Sequence, residues 1–192
     1  MDKAVHTYLM MGRPGSGKGT QGKLLAQKLG SDIYSSGNRL REMAKGHGFV
    51  AEKIKRVIEE GGLLPAWLSS HMFVDVLLGI GQTETIIFEG ACRRMHEAQA
   101  FDETAEWLER PYKAIFLNIP DEEVERRIAV RKGVEGRADD ASDTVSHRIK
   151  EYEEHTAHAI EFFRQKGVLI EVSGLDTIEN VHQRVLEALD IK

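Results

Sequence analysis

Glycines and a lysine follow a short apolar run near the start of the chain, in a spacing that could bind phosphate. The apolar residues 8–11 lead into Gly-Arg-Pro-Gly-Ser-Gly-Lys-Gly-Thr at residues 12–20. Glycines let backbone N–H groups turn inward onto phosphate oxygens, and the lysine reaches the outer phosphates of a nucleotide. Residues 19–29 follow with leucines on one face, which predicts a helix whose N-terminus adds partial positive charge. The pattern predicts a P-loop, with phosphate contacts from Gly15, Ser16, Gly17, Lys18, Gly19 and Thr20.

Four further apolar runs predict strands that, with the run before the P-loop, form one sheet. They lack polar alternation and are separated by helical patterns, at residues 32–35, 85–88, 113–119 and 168–172. Such runs are typical of a parallel sheet that is buried on both faces. The sequence therefore predicts an α/β fold with three layers and a five-stranded parallel sheet.

Two segments interrupt this alternation of strands and helices. Residues 36–65 contain two short helical patterns, and residues 131–141 form a charged stretch with glycines between two helices. We interpret residues 1–192 as one domain, with 36–65 as a small helical insertion and 131–141 as a loop over the site. Four large aromatic side chains are expected to pack in the core or between helices: Trp67, Trp107, Phe162 and Phe163.

Composition excludes several classes of partner and site. A net charge of −5 without a basic run argues against a nucleic acid polymer. Cys92 is the only cysteine, so neither a disulfide nor a four-cysteine zinc site can form within one chain. No apolar run approaches the roughly 18 residues that a membrane helix needs. We expect a soluble, cytoplasmic protein that is a monomer and does not bind membranes.

Arginines near the ends of predicted elements could neutralise transferring phosphates. A guanidinium stays charged and binds phosphate through two parallel hydrogen bonds. Arginines on a segment that closes over the site could therefore neutralise negative charge as it shifts from the phosphate donor to the phosphate acceptor. The arginines in such positions are Arg41, Arg93, Arg127, Arg131, Arg137 and Arg148.

Over nearly its whole length the chain resembles the adenylate kinase family of nucleoside monophosphate kinases. In the P-loop, glycine rather than serine or threonine follows the lysine, as in that family. Further similar motifs are S-S-G-N-R-L-R at 35–41, G-G-L-L-P at 61–65, E-G-A-C-R at 89–93, and the short lid with its flanking arginines at 127–148.

The resemblance implies a reversible phosphoryl transfer from ATP to a nucleoside monophosphate, with AMP as acceptor and two diphosphates as products. It implies that Arg127 flanks the adenine of ATP and that Lys18, Arg93, Arg131, Arg137 and Arg148 are catalytic. The residues implied to bind the monophosphate are Ser36, Arg41, Leu63, Leu64, Gly90, Arg93, Glu97, Arg137 and Arg148.

A magnesium ion is the expected cofactor. Glu89 ends an apolar strand near the P-loop, and its carboxylate could hold a water on Mg²⁺ that bridges the ATP phosphates. The predicted lid is short and lacks cysteine, so zinc is not expected there.

The sequence departs from the family pattern at three places. Asn38 replaces aspartate, Ala91 and Cys92 replace Phe-Pro, and Glu97 replaces a glutamine. A carboxylate only accepts hydrogen bonds, so Glu97 would weaken a preference for adenine and suit guanine or uracil better. If Glu97 instead points to solvent, backbone groups read the base. Open alternatives are a kinase of GMP, UMP, CMP or another small metabolite, and a nucleotide-binding protein with weak or lost activity.

Overall fold

A computed structural model of the chain describes residues 4–135 and 142–192, with side chains described at 4–130 and 144–192. The expected sheet is present. Its strands are β1 (Thr7–Gly12), β2 (Asp32–Ser35), β3 (Ile86–Glu89), β4 (Tyr112–Asn118) and β5 (Leu169–Ser173). All neighbouring strands pair in parallel, in the order β2-β3-β1-β4-β5.

Helices cover both faces of this sheet. They are α1 (Lys18–Leu29), α2 (Ser36–Ala44), α3 (Phe49–Glu59), α4 (Ala66–Gly79), α5 (Met95–Trp107), α6 (Asp121–Glu135), α7 (Ser142–Glu151), α8 (Ala157–Gln165) and α9 (Ile178–Ala188). Helices α7 and α8 are joined by a π-helical turn at Tyr152–Thr156. No helix in the described ranges is long and apolar enough to span a membrane.

The core lies in two layers because successive side chains of β1 point to opposite faces. Leu9 and Met11 join the cluster that includes buried residues of α4, α5 and α8. Tyr8 and Met10 join the cluster that includes buried residues of α1 and α9. Every residue of β1 is buried, which explains its continuous apolar run. The predicted three-layer α/β fold is confirmed.

The predicted helical insertion follows β2 as α2 and α3. Ser35 caps the N-terminus of α2, and its hydroxyl accepts a hydrogen bond from the Asn38 backbone N–H at 3.4 Å. Residues 131–135, predicted as the beginning of a loop, instead continue α6. One glycine weakens a helix by only about 1 kcal/mol, so the good helix formers around Gly133 can carry the helix through it. The rest of the predicted lid, 136–141, lies outside the described residues.

The prediction that Trp67 and Trp107 pack in the interior is wrong. Their exposed fractions are 71% and 76%, whereas Phe163 is fully buried. Trp67 lies in the first turn of α4 and Trp107 ends α5. The buried faces of these helices carry other side chains, namely Met72, Phe73 and Leu77 on α4 and Ala98, Phe101 and Ala105 on α5.

Candidate functional site

The P-loop turns sharply between β1 and α1, and the turn requires glycine. Gly12 has a φ of 147°, and a Cβ there would lie 2.6 Å from the Ser16 hydroxyl oxygen and 2.8 Å from the Leu117 carbonyl oxygen. Gly17 has a φ of 93° and directly precedes α1. The N-terminus of α1, with the backbone N–H groups of its first turn, therefore adjoins the loop, an arrangement suited to anions.

Lys18 is the first residue of α1 and curls back over the loop. Its ammonium group donates to the Arg13 carbonyl at 3.2 Å. Inside the loop, the Ser16 hydroxyl oxygen is buried and has no hydrogen-bond partner among the described residues. The loop thus holds a cation at its mouth and a polar hydroxyl inside it, as a phosphate cradle requires.

Glu89 lies at the carboxyl end of β3, opposite Ser35 on β2 in the strand register. Its Oε2 accepts a hydrogen bond from the Ser35 hydroxyl at 2.7 Å. Burial would raise the pKa of Glu89, but Lys18, the Ser35 hydroxyl, Arg93 and Arg41 together bring this pKa below its usual value. The carboxylate is therefore ionised beside the P-loop, and a hard oxygen ligand of this kind fits Mg²⁺.

A cleft of about 650 Å³ runs along the carboxyl ends of the strands, where open α/β sheets bind ligands. Many of the predicted site residues line it together. They are Gly15, Ser16, Gly17, Lys18, Gly19, Thr20, Arg41, Glu89, Arg93, Arg127 and Arg148.

Two arginines of this cleft are held by nearby acceptors. Arg41 donates from Nη2 to the Asn38 side-chain oxygen at 2.7 Å. Arg93 donates from Nε to the Gly90 carbonyl at 2.9 Å. Asparagine at position 38 therefore still supplies an oxygen to Arg41, although without the negative charge of the family's aspartate.

A smaller cavity of about 40 Å³ adjoins Arg93. The interpretation that Glu97 points to solvent is wrong, because this residue is only 2% exposed. Its Oε2 accepts the Arg93 backbone N–H at 2.8 Å. Burial raises the pKa of Glu97, and the hydrogen bond and charge of Arg93 offset only part of this effect. The predicted residues that line this cavity are Ser36, Leu63, Leu64, Gly90, Arg93 and Glu97.

Arg127 bridges the P-loop and the loop that follows β5. Its guanidinium donates to the Gly174 carbonyl at 2.8 Å and to the Ser16 carbonyl at 3.4 Å, and it pairs with Glu123 at 2.6 Å. Asp176 and Thr177 also line the cleft, although the sequence reasoning did not select them. They lie a few residues after a predicted buried strand, at the end of a parallel sheet where ligands bind, and this position was the signal that could have identified them.

The predicted lid arginines are described less fully. Arg131 belongs to the backbone of α6, but its side chain is outside the described part of the structure. Arg137 also lies outside the described residues. Arg148, on α7, packs near the turn that contains Gly61, since a Cβ added to Gly61 would lie 3.1 Å from the Arg148 Cγ. Among the described residues, no three or more His, Cys, Asp or Glu side chains are grouped to hold a metal ion.

Comparisons with known proteins agree with this geometry. The family model described as adenylate kinase matches residues 10–168. An adenylate kinase of Thermus thermophilus is 35% identical over 184 residues, which cover 95% of this chain and 96% of that protein. The adenylate kinase of Azobacteroides pseudotrichonymphae is 31% identical, with 94% of this chain and 95% of that protein covered. That of Micrococcus luteus is also 31% identical, with 94% and 89% covered. The chain therefore belongs to the adenylate kinase family.

Proposed function

We propose that this protein catalyses reversible transfer of the terminal phosphoryl group of magnesium-bound ATP to AMP. The observation that carries the proposal is one cleft that contains the P-loop, an ionised carboxylate and arginines from three separate parts of the chain. The arginines are Arg41 on α2, Arg93 after β3 and Arg148 on α7. Two highly charged nucleotides need such an arrangement to approach each other.

The donor side is built on the P-loop. Its backbone N–H groups, Lys18 and Thr20 bind the ATP phosphates, and Arg127 lies beside the ATP base. Glu89 is the residue that would hold Mg²⁺ through water, and the ion would supply charge neutralisation on the donor phosphates when bound. The ionised state of Glu89 and its place at the cleft support this assignment.

The acceptor side lies between the helical insertion and α5. Arg41 and Arg93 bind the monophosphate, together with Ser36. The base enters between Leu63, Leu64, Gly90 and Glu97. This assignment is supported by the small cavity next to Arg93, which these four residues line together. The attacking group is already an anionic phosphate oxygen, so the reaction is an in-line transfer that needs no general base and depends on positioning.

Arginines of the lid complete the site. We infer that residues 131–141 close over the two nucleotides and that Arg131 and Arg137 then join Arg148 on the transferring phosphates. Closure excludes water, which strengthens these charge interactions and prevents hydrolysis of ATP.

A direct assay tests the proposal. The purified chain is incubated with ATP and magnesium together with AMP, GMP, CMP, UMP or dTMP, and the nucleotides are separated by chromatography. We expect ADP to form from ATP and AMP, and ATP and AMP to form from ADP alone. Preferred turnover of another monophosphate would favour a kinase of that nucleotide. Calorimetric binding of nucleotides without turnover would favour a binding protein.

Glu97 provides a prediction about the choice of acceptor base. The Glu97→Gln substitution adds a hydrogen-bond donor where the carboxylate can only accept. We expect kcat/KM for AMP relative to GMP to rise about five- to thirtyfold at neutral pH, which corresponds to roughly 1 to 2 kcal/mol for one unpaired buried polar group. Because burial raises the pKa of Glu97, the wild-type carboxyl acquires a donating proton as the pH falls, and the advantage of glutamine should shrink.

The matched control is Glu103→Gln, which removes the same charge from an exposed position on α5. It should leave the ratio of AMP to GMP turnover unchanged. An unchanged ratio in Glu97→Gln as well would mean that backbone groups around Leu64 and Gly90 select the base.

A further inference from the structure

Arg13 lies inside the P-loop, and its backbone carbonyl holds the lysine of that loop. This oxygen accepts hydrogen bonds from the Lys18 ammonium at 3.2 Å and from the Ser16 backbone N–H at 3.1 Å. Both bonds end on one atom, so the position of the Arg13 backbone determines where the ammonium group lies. A displacement of Arg13 would therefore also displace Lys18.

The side chain of Arg13 leaves the loop and contacts the two helical segments on either side of residues 136–141. Its guanidinium forms an ion pair with Asp121, the first residue of α6. Its Cζ atom also lies 5.2 Å from the centroid of the Tyr152 ring, at the start of the π-helical turn after α7. A guanidinium at this distance is attracted to the face of an aromatic ring. Arg13 thus connects the P-loop with α6 and with the end of α7.

Of these two contacts, the one with Tyr152 is better shielded from water. The Asp121 side chain is 68% exposed, and an ion pair with so exposed a partner contributes little. Tyr152 is only 8% exposed and belongs to the larger buried cluster. Burial raises the pKa of the Tyr152 hydroxyl, and the charge of Arg13 and a hydrogen bond from it oppose this rise. The guanidinium is therefore close to the hydroxyl as well as to the ring.

Tyr152 follows Arg148 by one helical turn, and both residues line a second small cavity of about 40 Å³. This cavity lies between the P-loop and the end of α7. Its other charged lining residues are Lys18, Arg93 and Glu151. The contact between Arg13 and Tyr152 therefore joins two sides of a space that is surrounded by phosphate-binding cations of the proposed site.

The lysine and the two arginines around this cavity carry like charges and repel one another. Glu151 offsets part of this repulsion. Its carboxylate is not available to these cations alone, because it also lies near three further side chains, at 3.7, 3.5 and 3.8 Å from Arg94, His147 and His155. The distances between the cations must therefore be set by the packing behind them. The contact between Arg13 and Tyr152 is such packing, since it lies behind both Lys18 and Arg148.

We propose that Arg13 is a positioning residue that holds Lys18 and Arg148 at the correct distance from each other. Its carbonyl binds the lysine, and its guanidinium contacts Tyr152, one helical turn beyond the arginine. Both cations are thereby aligned on the phosphoryl group during transfer. Arg13 is not among the described residues that line the cleft, so it acts through its neighbours rather than on a nucleotide. This inference rests on the proposed function for the identity of the reaction.

The first test is Arg13→Ala, which keeps the backbone carbonyl but removes the contact with Tyr152. We expect kcat for ADP formation to fall about five- to thirtyfold, less than the hundredfold loss that a displacement of about 1 Å can cause. The KM values for ATP and AMP should each change less than about twofold, because the groups that bind either nucleotide alone are kept. Steady-state kinetics with each nucleotide varied in turn measure this division between kcat and KM.

Further variants identify the contact that is responsible. Tyr152→Leu removes the ring and should give a similar loss of kcat, and the double variant should lose little more than either single variant. Tyr152→Phe keeps the ring and should retain most of the activity. Asp121→Asn should stay near wild type, because its ion pair is exposed. Fully additive losses in the double variant would contradict the proposed contact.

Arg164→Ala is the matched control. It removes an arginine of α8 that forms ion pairs with Glu161 and Glu171 and is not among the cleft-lining residues. Its kcat should remain near the wild-type value. Thermal unfolding checks that each variant is folded. If Arg13→Ala does not fold, Arg13→Gln carries the comparison, since it removes the charge and keeps more of the side chain.

A binding measurement without turnover separates this inference from the proposed function. Calorimetry is performed with ATP, with AMP and with a linked ligand in which a chain of phosphates joins two adenosines. The linked ligand occupies the donor and acceptor sides together, so its affinity depends on how the groups between them are aligned. In Arg13→Ala we expect the affinities for ATP and AMP to stay near wild type, and the affinity for the linked ligand to fall by about the same factor as kcat.

Two results would overturn the positioning role alone. One is an unchanged kcat in Arg13→Ala when wild type phosphorylates AMP. The other is an equal loss of affinity for ATP and for the linked ligand, because Arg13 would then serve the donor side by itself. Failure of wild type to phosphorylate AMP would instead contradict the proposed function.

Discussion

Replacing Lys18 with alanine should lower kcat for ADP formation by about a hundredfold or more, because removal of one preorganised electrostatic contact commonly has this effect. The lysine ammonium lies over the P-loop. In the proposed reaction it meets the charge that moves between the donor and acceptor oxygens. Its side chain is not part of either main core cluster, so the thermal unfolding temperature should change little. Initial rates with saturating ATP and AMP provide the measurement.

Lys28→Ala is the matched control for this change. Lys28 is an exposed lysine near the C-terminus of the same helix, and it is not among the residues that line the cleft. Its replacement should leave kcat near the wild-type value. If Lys18→Ala also kept near-normal activity, the P-loop would not be the site of phosphoryl transfer.

Arg93→Ala should raise the KM for AMP about ten- to hundredfold, the scale of losing a hydrogen-bonded contact with a charged group. Arg93 donates from Nε to the Gly90 carbonyl, and the residue lines both the cleft and the small cavity beside it. The KM for ATP should change much less, because Arg93 is assigned to the acceptor. Steady-state kinetics with each nucleotide varied in turn measure the difference.

Arg93→Lys should recover part of the loss, since it restores the charge but not the two parallel hydrogen bonds. Arg39→Ala provides the control, because Arg39 is an exposed arginine of α2 that is not among the cleft-lining residues. Equal increases in KM for ATP and AMP in Arg93→Ala would assign this residue to both nucleotides rather than to the acceptor.

The features predictable from the sequence are those that depend on neighbours along the chain. The P-loop could be recognised because consecutive backbone groups form the phosphate-binding loop. The residue types and their spacing from Gly12 to Lys18 therefore predict phosphate binding. The sheet followed from continuous apolar runs, because a parallel strand buried on both faces needs no polar side chains. Glu89 could likewise be predicted to lie near the P-loop, because it ends an apolar strand of the same parallel sheet.

Other predictions failed where packing between distant segments mattered. Nothing local distinguishes the exposed Trp67 from a core tryptophan, because the face that α4 buries is set by its neighbours. The sequence allowed Glu97 either to face the acceptor base or to point to solvent. Only the tertiary structure shows that it is buried beside Arg93. The end of α6 was also misplaced, since the glycine in that stretch does not by itself terminate a helix.

The contacts between α7 and the turn that follows α3 lie furthest from what spacing alone could reveal. His147 and Glu151 share a face of α7, which a four-residue separation does predict. The contact of the His147 ring with the Glu60 carbonyl joins residues 87 positions apart, and every residue possesses a carbonyl oxygen. A motif can encode groups that act in sequence order, but which side chain meets which carbonyl is fixed only when the helices pack against the sheet.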